Sequence, residues 1–338
     1  MANKVRFGIV GVSSIGRVHA ENLATNIPNA ELVAIADSNF GAAKNLGAQL
    51  GVKNVYPDFQ QLLENKDVDA VVISVPTYLK KDMVVAVAES GRHIFCEKPM
   101  AASLREADEM IGARRRAGVK FQIGFMRRFD RSHVRAKQLI DEGKIGKITL
   151  ITSHARDPGA VAGWGADPQL SGGIFADNCS HDFDAIRWLT GQEIKRIFAE
   201  GAALVFDEAK KTGTFDTANA VMRLDSGAIA QIDTGFSMYA YDVRMEVLGT
   251  EGGIMMSMGN QTNTTLLGKA VISNESYSSY QSRFAEAYRD ELVDFVECIL
   301  TGREPKVTET DGRIAAELAL AASESAQKLT PIFLFSNR

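Results

Sequence analysis

The stretch VRFGIVGVSSIG at residues 5–16 decides how this chain folds. Val5–Val10 has the apolar pattern of a short buried strand, and a glycine-rich turn and a helical pattern follow it directly. Gly11 and Gly16 match the first and third glycines of the dinucleotide-binding pattern G-x-G-x-x-G, and Ser13 replaces the second. Serine is small, and its hydroxyl can donate to a phosphate. The stretch therefore predicts a dinucleotide site, although taken alone it also fits a plain glycine-rich turn.

An acidic residue after the second strand pattern bears on which dinucleotide is bound. Glu31–Ala36 has strand character and ends at Asp37. A carboxylate at this strand end can accept hydrogen bonds from the 2′- and 3′-hydroxyls of an adenine ribose, and it would repel a 2′-phosphate. The three residues that follow, Ser38, Asn39 and Phe40, supply no cation. The sequence therefore favours NAD over NADP.

Strand and helix patterns continue to alternate up to residue 125. Near-continuous apolar runs such as Asp69–Val75 are typical of parallel strands that are buried on both faces. The other patterns are strands at Arg92–Cys96 and Lys120–Phe125 and helices at Lys81–Ser90 and Leu104–Ala117. This order predicts an α/β domain with a Rossmann-type, doubly wound parallel sheet, whose ligand lies at the carboxyl ends of the strands. Lys98 follows one such strand, and the fixed φ of Pro99 would hold its ammonium in place.

The pattern then changes to β-rich runs that are separated by turn signals, with few helices. These runs are Ile148–His154, Arg196–Val205, Thr217–Leu224, Ala228–Phe236 and Val243–Leu248. They predict a C-terminal α+β domain with a large, mostly antiparallel sheet, which helices at Ser171–Leu189 and Phe284–Leu300 cover on one face. The uncovered face indicates a homo-oligomer, foremost a tetramer, built through sheet faces. We expect domains at residues 1–125 and 126–310, with a C-terminal helix at about 311–329 that packs on the first.

The stretch Ser171–Leu189 has the periodicity of one helix. Its apolar stripe consists of Phe175, Cys179, Phe183 and Ile186. On the opposite side lie Asp177, His181 and Asp184. A carboxylate one turn from an imidazole can fix the ring's tautomer and favour its charged form, so Asp177 and His181 are a candidate proton acceptor for an alcohol. A solvated polar face on a surface helix is the alternative interpretation.

Composition narrows the class of protein. The net charge of −4 and the absence of a Lys/Arg run argue against a nucleic-acid partner. The sequence shows no run of about 18 apolar residues and no signal-peptide pattern, so we expect no membrane association and a cytoplasmic location. The three cysteines, Cys96, Cys179 and Cys298, are scattered, which fits reduced thiols rather than disulfides. The five histidines lack metal-ligand spacing, so we expect no metal site.

A series of motifs now carries a family resemblance. In chain order they are GVSSIGRVH at 11–19, Asp37, FCEKP at 95–99, GFMRRFD at 124–130, SGGIF…D…HDFD at 171–184, YAYDVRMEVLGTEG at 239–252, RFAEAYRDEL at 283–292 and DGRIAAELALAA at 311–322. Together they resemble the Gfo/Idh/MocA oxidoreductases and, among them, the bacterial inositol 2-dehydrogenases. The resemblance covers nearly the whole chain. EKP and the D-x-x-x-H pair are each common alone but specific in combination.

The resemblance implies an NAD-dependent dehydrogenase that oxidises a secondary alcohol of a cyclic polyol, foremost myo-inositol, to the ketone. Two alternatives stay open. One is another sugar or polyol dehydrogenase of the same family, acting on an aldose or on another inositol isomer. The other is a non-catalytic sugar-sensing regulator on the same fold. The expected partners are a small cyclic polyol or sugar and further copies of this chain.

The resemblance also implies roles for individual residues. The implied catalytic group is Lys98, Asp177 and His181. The implied cofactor-binding residues are Gly11, Ser13, Ile15, Gly16, Asp37, Ser74, Pro76, Glu97 and Lys98. The implied substrate-binding residues are Lys98, Arg127, Asp157, Asp177, His181, Tyr239 and Tyr241. Three positions depart from the family pattern: Ser13 in place of a glycine, Lys80 where many members have histidine, and Asp157 where some inositol enzymes have asparagine.

Overall fold

The structure is a computed structural model that describes residues 4–159, 161–236, 241–257, 259–267 and 272–334. The chain divides into two compact units. The first unit contains Met1–Phe129 and Glu286–Glu317, and the second contains Asp130–Ala285 and Leu318–Arg338. The domain boundaries expected from the sequence, 1–125 and 126–310, stay predictions, and so does the packing of residues 311–329 on the first domain.

Strands and helices alternate through the first 125 residues, as the apolar pattern predicts. They are β1 (Val5–Val10), α1 (Ser14–Thr25), β2 (Ala30–Ala36), α2 (Phe40–Leu50), β3 (Asn54–Tyr56), α3 (Phe59–Glu64), β4 (Ala70–Ile73), α4 (Thr77–Glu89), β5 (His93–Glu97), α5 (Leu104–Ala117) and β6 (Phe121–Gly124). The short elements β3 and α3 carry too few apolar residues for their pattern to stand out in the sequence.

The six strands of the first unit form one parallel sheet in the order β3-β2-β1-β4-β5-β6. The predicted doubly wound parallel sheet is confirmed. Phe7 and Ile9 of β1 and Phe95 of β5 are fully buried in its core. The strand order reverses between β1 and β4, so the loops after these two strands diverge and leave a crevice at the carboxyl edge of the sheet.

The rest of the chain adds the second sheet and further helices. These elements are α6 (Arg131–Asp141), β7 (Ile148–Arg156), α7 (Pro168–Ser171), α8 (Gly173–Asp177), α9 (Ser180–Thr190), β8 (Ile194–Ala202), α10 (Asp207–Thr212), β9 (Thr217–Leu224), β10 (Ile229–Gly235), β11 (Asp242–Gly249), β12 (Gly253–Met256), β13 (Asn260–Leu267), β14 (Ile272–Ser276), α11 (Tyr280–Arg283), α12 (Ala285–Thr301), α13 (Glu309–Lys328) and β15 (Ile332–Phe333). No helix in the described part of the chain is both long and apolar enough to cross a bilayer.

Helix α12 completes the core of the first sheet. Leu292 and Phe295 are fully buried in the same cluster as β1, and the rings of Phe295 and Phe7 lie 6.2 Å apart. The expectation that Phe284–Leu300 covers the second sheet is therefore wrong from Glu286 onward. Helical periodicity shows that a helix has an apolar face, but it does not show against which sheet that face packs.

Seven strands form the sheet of the second unit, in the order β12-β11-β7-β10-β9-β8-β15. Among these described strands every neighbouring pair is antiparallel except β7 and β10. The predicted large, mostly antiparallel sheet is confirmed. Side chains alternate along β9, where Ala220 and Met222 are buried and Val221 and Arg223 are exposed. One face of the sheet carries the core, and the other is open in the single chain.

The predicted single helix over Ser171–Leu189 is wrong in detail, because Ser171 is the last residue of α7 and the rest of the stretch forms two helices, α8 and α9. Gly172 has a φ of +84°, a left-handed conformation that ends α7 before α8 begins. Between α8 and α9, the Asn178 side chain donates hydrogen bonds to the Ala155 carbonyl (3.1 Å) and the Thr234 hydroxyl (3.0 Å). These bonds tie the break to β7 and β10, a tertiary contact that periodicity does not report.

Candidate active site

The turn between β1 and α1 brings the main chain close to the end of β4. Gly11 has a φ of +85°, and a Cβ atom there would lie 2.1 Å from the Ser74 carbonyl oxygen. A Cβ atom at Gly16 would lie 2.0 Å from the Gly11 carbonyl oxygen. Neither position can take another residue without a backbone shift. Ser13 has an extended conformation (φ −85°, ψ 158°) that any L-residue adopts, so its departure from the glycine pattern leaves the turn intact.

Asp37 is bound to this turn through its carboxylate. Its Oδ2 accepts the Val12 N–H at 2.8 Å, and its Oδ1 accepts the Asn39 N–H at 2.7 Å. Beside it lies a cavity of about 600 Å³. Of the residues expected to bind the cofactor, those that line this cavity are Gly11, Ser13, Asp37, Ser74 and Pro76. The expected residues Ile15, Gly16, Glu97 and Lys98 are not among its lining residues.

Lys98 follows β5 in a segment whose main chain is held by two side chains. Glu97, the last residue of β5, accepts the Lys98 N–H through Oε2 at 3.1 Å. Lys80 of α4 is buried, and its Nζ donates to the carbonyl oxygens of Glu97 (2.7 Å), Lys98 (2.9 Å) and Pro99 (2.9 Å). The Lys98–Pro99 peptide is cis. Lys80, one of the three positions that depart from the family pattern, therefore binds the backbone of the EKP segment.

A buried cluster that sequence spacing does not reveal surrounds the Glu97 carboxylate. The Nε2 atom of His19 lies 2.7 Å from Glu97 Oε1 and 4.0 Å from Glu291 Oε1. The three groups come from α1, β5 and α12, far apart in the sequence. Their ligand atoms all lie within 4.8 Å of one another, which is compact enough to hold a metal ion. The 2.7 Å contact is, however, a hydrogen-bond distance, and the absence of a metal site stays a prediction.

Glu291 differs from an ordinary surface glutamate. Burial and the neighbouring Glu97 carboxylate raise the pKa of Glu291 well above its usual range. Both of its carboxyl oxygens are buried and have no hydrogen-bond partner among the described residues. A negative charge in such surroundings is strongly unfavourable, so the site favours the protonated form of Glu291.

Ion pairs join the motifs of the C-terminal half to GFMRRFD. In the first unit, Arg128 Nη2 lies 2.8 Å from Asp311 Oδ1. In the second unit, Asp130 accepts hydrogen bonds from Arg283 Nη1 (2.9 Å) and His133 Nδ1 (2.7 Å). Burial alone would raise the pKa of Asp130, but His133 and Arg283 bring it well below its usual range. These pairs give a structural reason for Arg128 and Asp130, the charged motif residues that follow Arg127.

Asp177 and His181 lie on either side of the break between α8 and α9. Asp177 is the last residue of α8 and is half-buried. His181 is the second residue of α9, and its relative exposure is 8%. Asp184, on the same predicted face, is also buried. The alternative interpretation of this face as solvated is therefore wrong for His181 and Asp184.

Two further substrate candidates lie in the loops before and after strands of the second sheet. Asp157 follows β7, and its Oδ1 accepts the Gly159 N–H at 2.9 Å. Tyr241 precedes β11 and is buried, with its ring centre 6.2 Å from that of Tyr280. Tyr239 lies outside the described residues.

The candidate substrate residues divide between the two units. Lys98 and Arg127, which is buried, belong to the first unit, and Asp157, Asp177, His181 and Tyr241 belong to the second. Their catalytic and substrate-binding roles stay predictions.

Comparison with known proteins identifies the family. Residues 5–125 match the sequence model of the oxidoreductase family with an NAD-binding Rossmann fold, and residues 133–255 match that of the GFO/IDH/MocA C-terminal domain. The chain belongs to the Gfo/Idh/MocA oxidoreductase family. The resemblance drawn from the motifs is confirmed. So is the expectation of NAD as the cofactor, since the first match is to the NAD-binding domain itself.

This Gfo/Idh/MocA oxidoreductase is similar over its whole length to named inositol dehydrogenases. It is 37% identical to the scyllo-inositol 2-dehydrogenase (NAD(+)) of Bacillus subtilis, over 99% of this chain and 97% of the relative. It is 36% identical to the myo-inositol 2-dehydrogenase of Thermotoga maritima, over 96% and 97%. The crystal structure of scyllo-inositol dehydrogenase from Lactobacillus casei with bound NAD(H) and scyllo-inositol is 33% identical, with a TM-score of 0.90 and coverage of 98% and 99%.

The glycine turn of this Gfo/Idh/MocA protein fits the dinucleotide. Gly11 and Gly16 leave the main chain bare where a pyrophosphate approaches the start of α1, and no acidic residue lies in the first turn of that helix. Asp37 lines the adjoining cavity, where its carboxylate can accept hydrogen bonds from ribose hydroxyls. These residues would hold the phosphate and adenosine parts of NAD.

The raised pKa of Glu291 leads to a prediction about the stability of this Gfo/Idh/MocA protein. Above the ordinary glutamate pKa of 4.5, the unfolded chain releases this proton and the folded chain keeps it. Stability contributed by the neutral side chain is therefore present at low pH and lost as pH rises toward the raised pKa. Relative to Glu291→Gln, the unmodified protein should lose about 1.4 kcal/mol of unfolding free energy per pH unit.

Urea unfolding of both proteins between about pH 5 and pH 8 measures this difference. A difference between Glu291→Gln and the unmodified protein that is constant over that range would contradict a protonated Glu291.

Proposed function

We propose that this protein oxidises a secondary alcohol of an inositol, foremost myo-inositol, to the ketone with NAD as the oxidant. The observation that supports it most is the full-length similarity to two named inositol 2-dehydrogenases, together with the presence of Lys98, Asp177 and His181 at the positions of the family's catalytic motifs. The fold alone would not suffice, because one fold hosts many activities.

In this proposal His181 takes the proton of the reacting hydroxyl, and Asp177 orients the imidazole. Lys98 donates a hydrogen bond to the substrate oxygen and stabilises its developing negative charge. When bound, NAD accepts the hydride from the carbinol carbon. The protein therefore contributes alignment, a proton acceptor and a positive charge.

The substrate class follows from the mixture of polar side chains. Arg127 and Lys98 donate, Asp157 accepts, and Tyr241 does both. Such a set matches a ring of hydroxyl groups, each of which is donor and acceptor at once. A single carboxylate or phosphate on the substrate would call for a more uniformly cationic set.

A panel of inositol isomers and hexoses with NAD tests the function, with NADH absorbance as the readout. We expect turnover with inositols and much weaker turnover with hexoses. Faster turnover with an aldose would favour the sugar dehydrogenase instead. A thermal shift with NAD but no NADH from any polyol would favour the regulator.

We expect Lys98→Met and His181→Ala each to lower kcat by roughly 10²–10⁴-fold, the usual effect of losing a positioned acid–base group. NADH binding should survive in His181→Ala, because this side chain serves the alcohol. Steady-state kinetics and NADH fluorescence measure the two effects. Lys81→Met is the matched control, since Lys81 lies on α4 and pairs with Asp82. Near-normal turnover in either variant would remove that residue from the mechanism.

We expect at least about a tenfold preference for NAD over NADP in kcat/KM, equivalent to roughly 1.4 kcal/mol. The reason is repulsion between Asp37 and a 2′-phosphate. Asp37→Ser combined with Ser38→Arg should narrow or reverse the preference, because Ser38 is exposed and lines the same cavity.

Asp58→Ser is the control for this cofactor prediction. It removes another carboxylate from the same cavity, while serine can still cap α3. An unchanged preference in the double variant, or an equal change in Asp58→Ser, would show that Asp37 does not select the cofactor.

We also propose a homotetramer that forms through the open face of the second sheet. The support is the alternation along β9 and β10, where Val221 and Ile229 are exposed beside polar neighbours. Val221→Lys with Ile229→Lys should give a smaller species by light scattering, with unchanged circular dichroism. Leu204→Lys, at a residue that follows β8, is the control and should leave the mass unchanged. A monomer mass for the unmodified protein at micromolar concentration would contradict the proposal.

We propose a cytoplasmic location as well. Cys96, Cys179 and Cys298 are all buried, and none of them forms a disulfide. Buried thiols that are not oxidised to disulfides fit a reducing compartment.

A further inference from the structure

Side chains bind both polar groups of the Lys98 main chain. The N–H is bound by Glu97 Oε2 at 3.1 Å, and the carbonyl oxygen is bound by Lys80 Nζ at 2.9 Å. A backbone segment outside regular structure commonly has at least one of these groups in water. Here the residue that the proposed mechanism relies on is fixed on both sides of its Cα atom.

Lys80 is placed for this contact and not for packing alone. Its relative exposure is 2%, and burying an ammonium is costly unless its protons are bound. An ammonium has three N–H donors, and Nζ lies within 2.9 Å of three successive carbonyl oxygens, those of residues 97, 98 and 99. The geometry therefore matches the donor set of lysine to the turn that presents Lys98.

The Glu97 carboxylate is fixed as firmly as the ammonium opposite it. His19 Nε2 lies 2.7 Å from its Oε1, and both side chains are buried. Gly124, its partner in β6, has no side chain, and a Cβ atom there would lie 2.9 Å from Glu97 Oε1. The carboxylate thus occupies space that only a glycine leaves free.

We propose that Lys80 and Glu97 are positioning residues for Lys98, which hold its main chain from both sides and place charges of opposite sign beside it. This inference rests on the proposed function, in which Lys98 binds the reacting oxygen. The titratable groups around this peptide in the described first unit include Lys80 from α4, Cys96 and Glu97 from β5, His19 from α1 and Glu291 from α12.

The two charges act on the Lys98 ammonium in opposite directions. Lys80 disfavours a second positive charge nearby, and Glu97 favours it. Removing Lys80 should move the Lys98 limb of the kcat/KM pH profile to higher pH, and removing the Glu97 charge should move it to lower pH. For a charge roughly 10 Å away, each shift is about 0.3 to 1 pH unit.

The test compares Lys80→Met and Glu97→Gln in the intact protein, with inositol and NAD. We expect kcat to fall by about 10-fold to 100-fold in each, with a smaller change in KM, since a misplaced catalytic group costs turnover more than binding. The Lys98 limb of the kcat/KM pH profile should move to higher pH in Lys80→Met and to lower pH in Glu97→Gln. Leu46→Ala, a core truncation in α2, is the control. It should lower the melting temperature without moving the Lys98 limb of the pH profile.

Gly124→Ala keeps the test decisive if Lys80→Met does not fold. It retains every charge but displaces the Glu97 carboxylate, so kcat should fall as in Glu97→Gln while the limb moves less. If Lys98→Met is inactive, either of two results would overturn the inference. One is an unchanged kcat and an unmoved Lys98 limb in Lys80→Met. The other is the same result in both Glu97→Gln and Gly124→Ala. Full activity of Lys98→Met would instead overturn the proposed function.

Discussion

The hydrogen bonds to the main chain at Glu97–Pro99 are the contacts on which the proposed placement of Lys98 depends. Lys80 reaches this segment from α4, His19 reaches the Glu97 carboxylate from α1, and Glu291, whose pKa is raised by burial, approaches His19 from α12. Each of these side chains is buried, so each must be matched by its neighbours. A substitution that shifts α1, α4, β6 or α12 would therefore displace Lys98. Lys98 is the residue of this unit that the proposed mechanism places on the substrate oxygen.

The glycine turn after β1 works by a different constraint, which is the absence of atoms. At Gly11 the main chain lies closer to the end of β4 than any Cβ atom would permit. At Gly16 it lies equally close to the carbonyl oxygen of Gly11. This constraint does not apply at Ser13, because the backbone there is extended and the side chain is accommodated. The pattern G-x-S-x-x-G therefore meets the physical requirement of the turn at the two positions where the requirement is strict.

Sequence reasoning could predict those features that are encoded locally. Such local features are the run Val5–Val10, the acidic residue at the end of β2 and the alternation along β9. Each depends on residues that are neighbours in the sequence, and the three strands are present. The break at Asn178 and the cluster around Glu97 depend on residues from distant parts of the chain, which one sequence does not place side by side. The same limit explains why α12 has an evident apolar face but no evident partner.

The return of the chain in α12 has a consequence for how the protein is made. Phe7 and Ile9 emerge from the ribosome long before Leu292 and Phe295, which belong to the same buried cluster. Contacts between such distant residues carry a large loop-closure cost and form late. The sheet of the first unit therefore remains incomplete, with apolar surface uncovered, until α12 has been translated, and during that interval it is most exposed to aggregation and to chaperones.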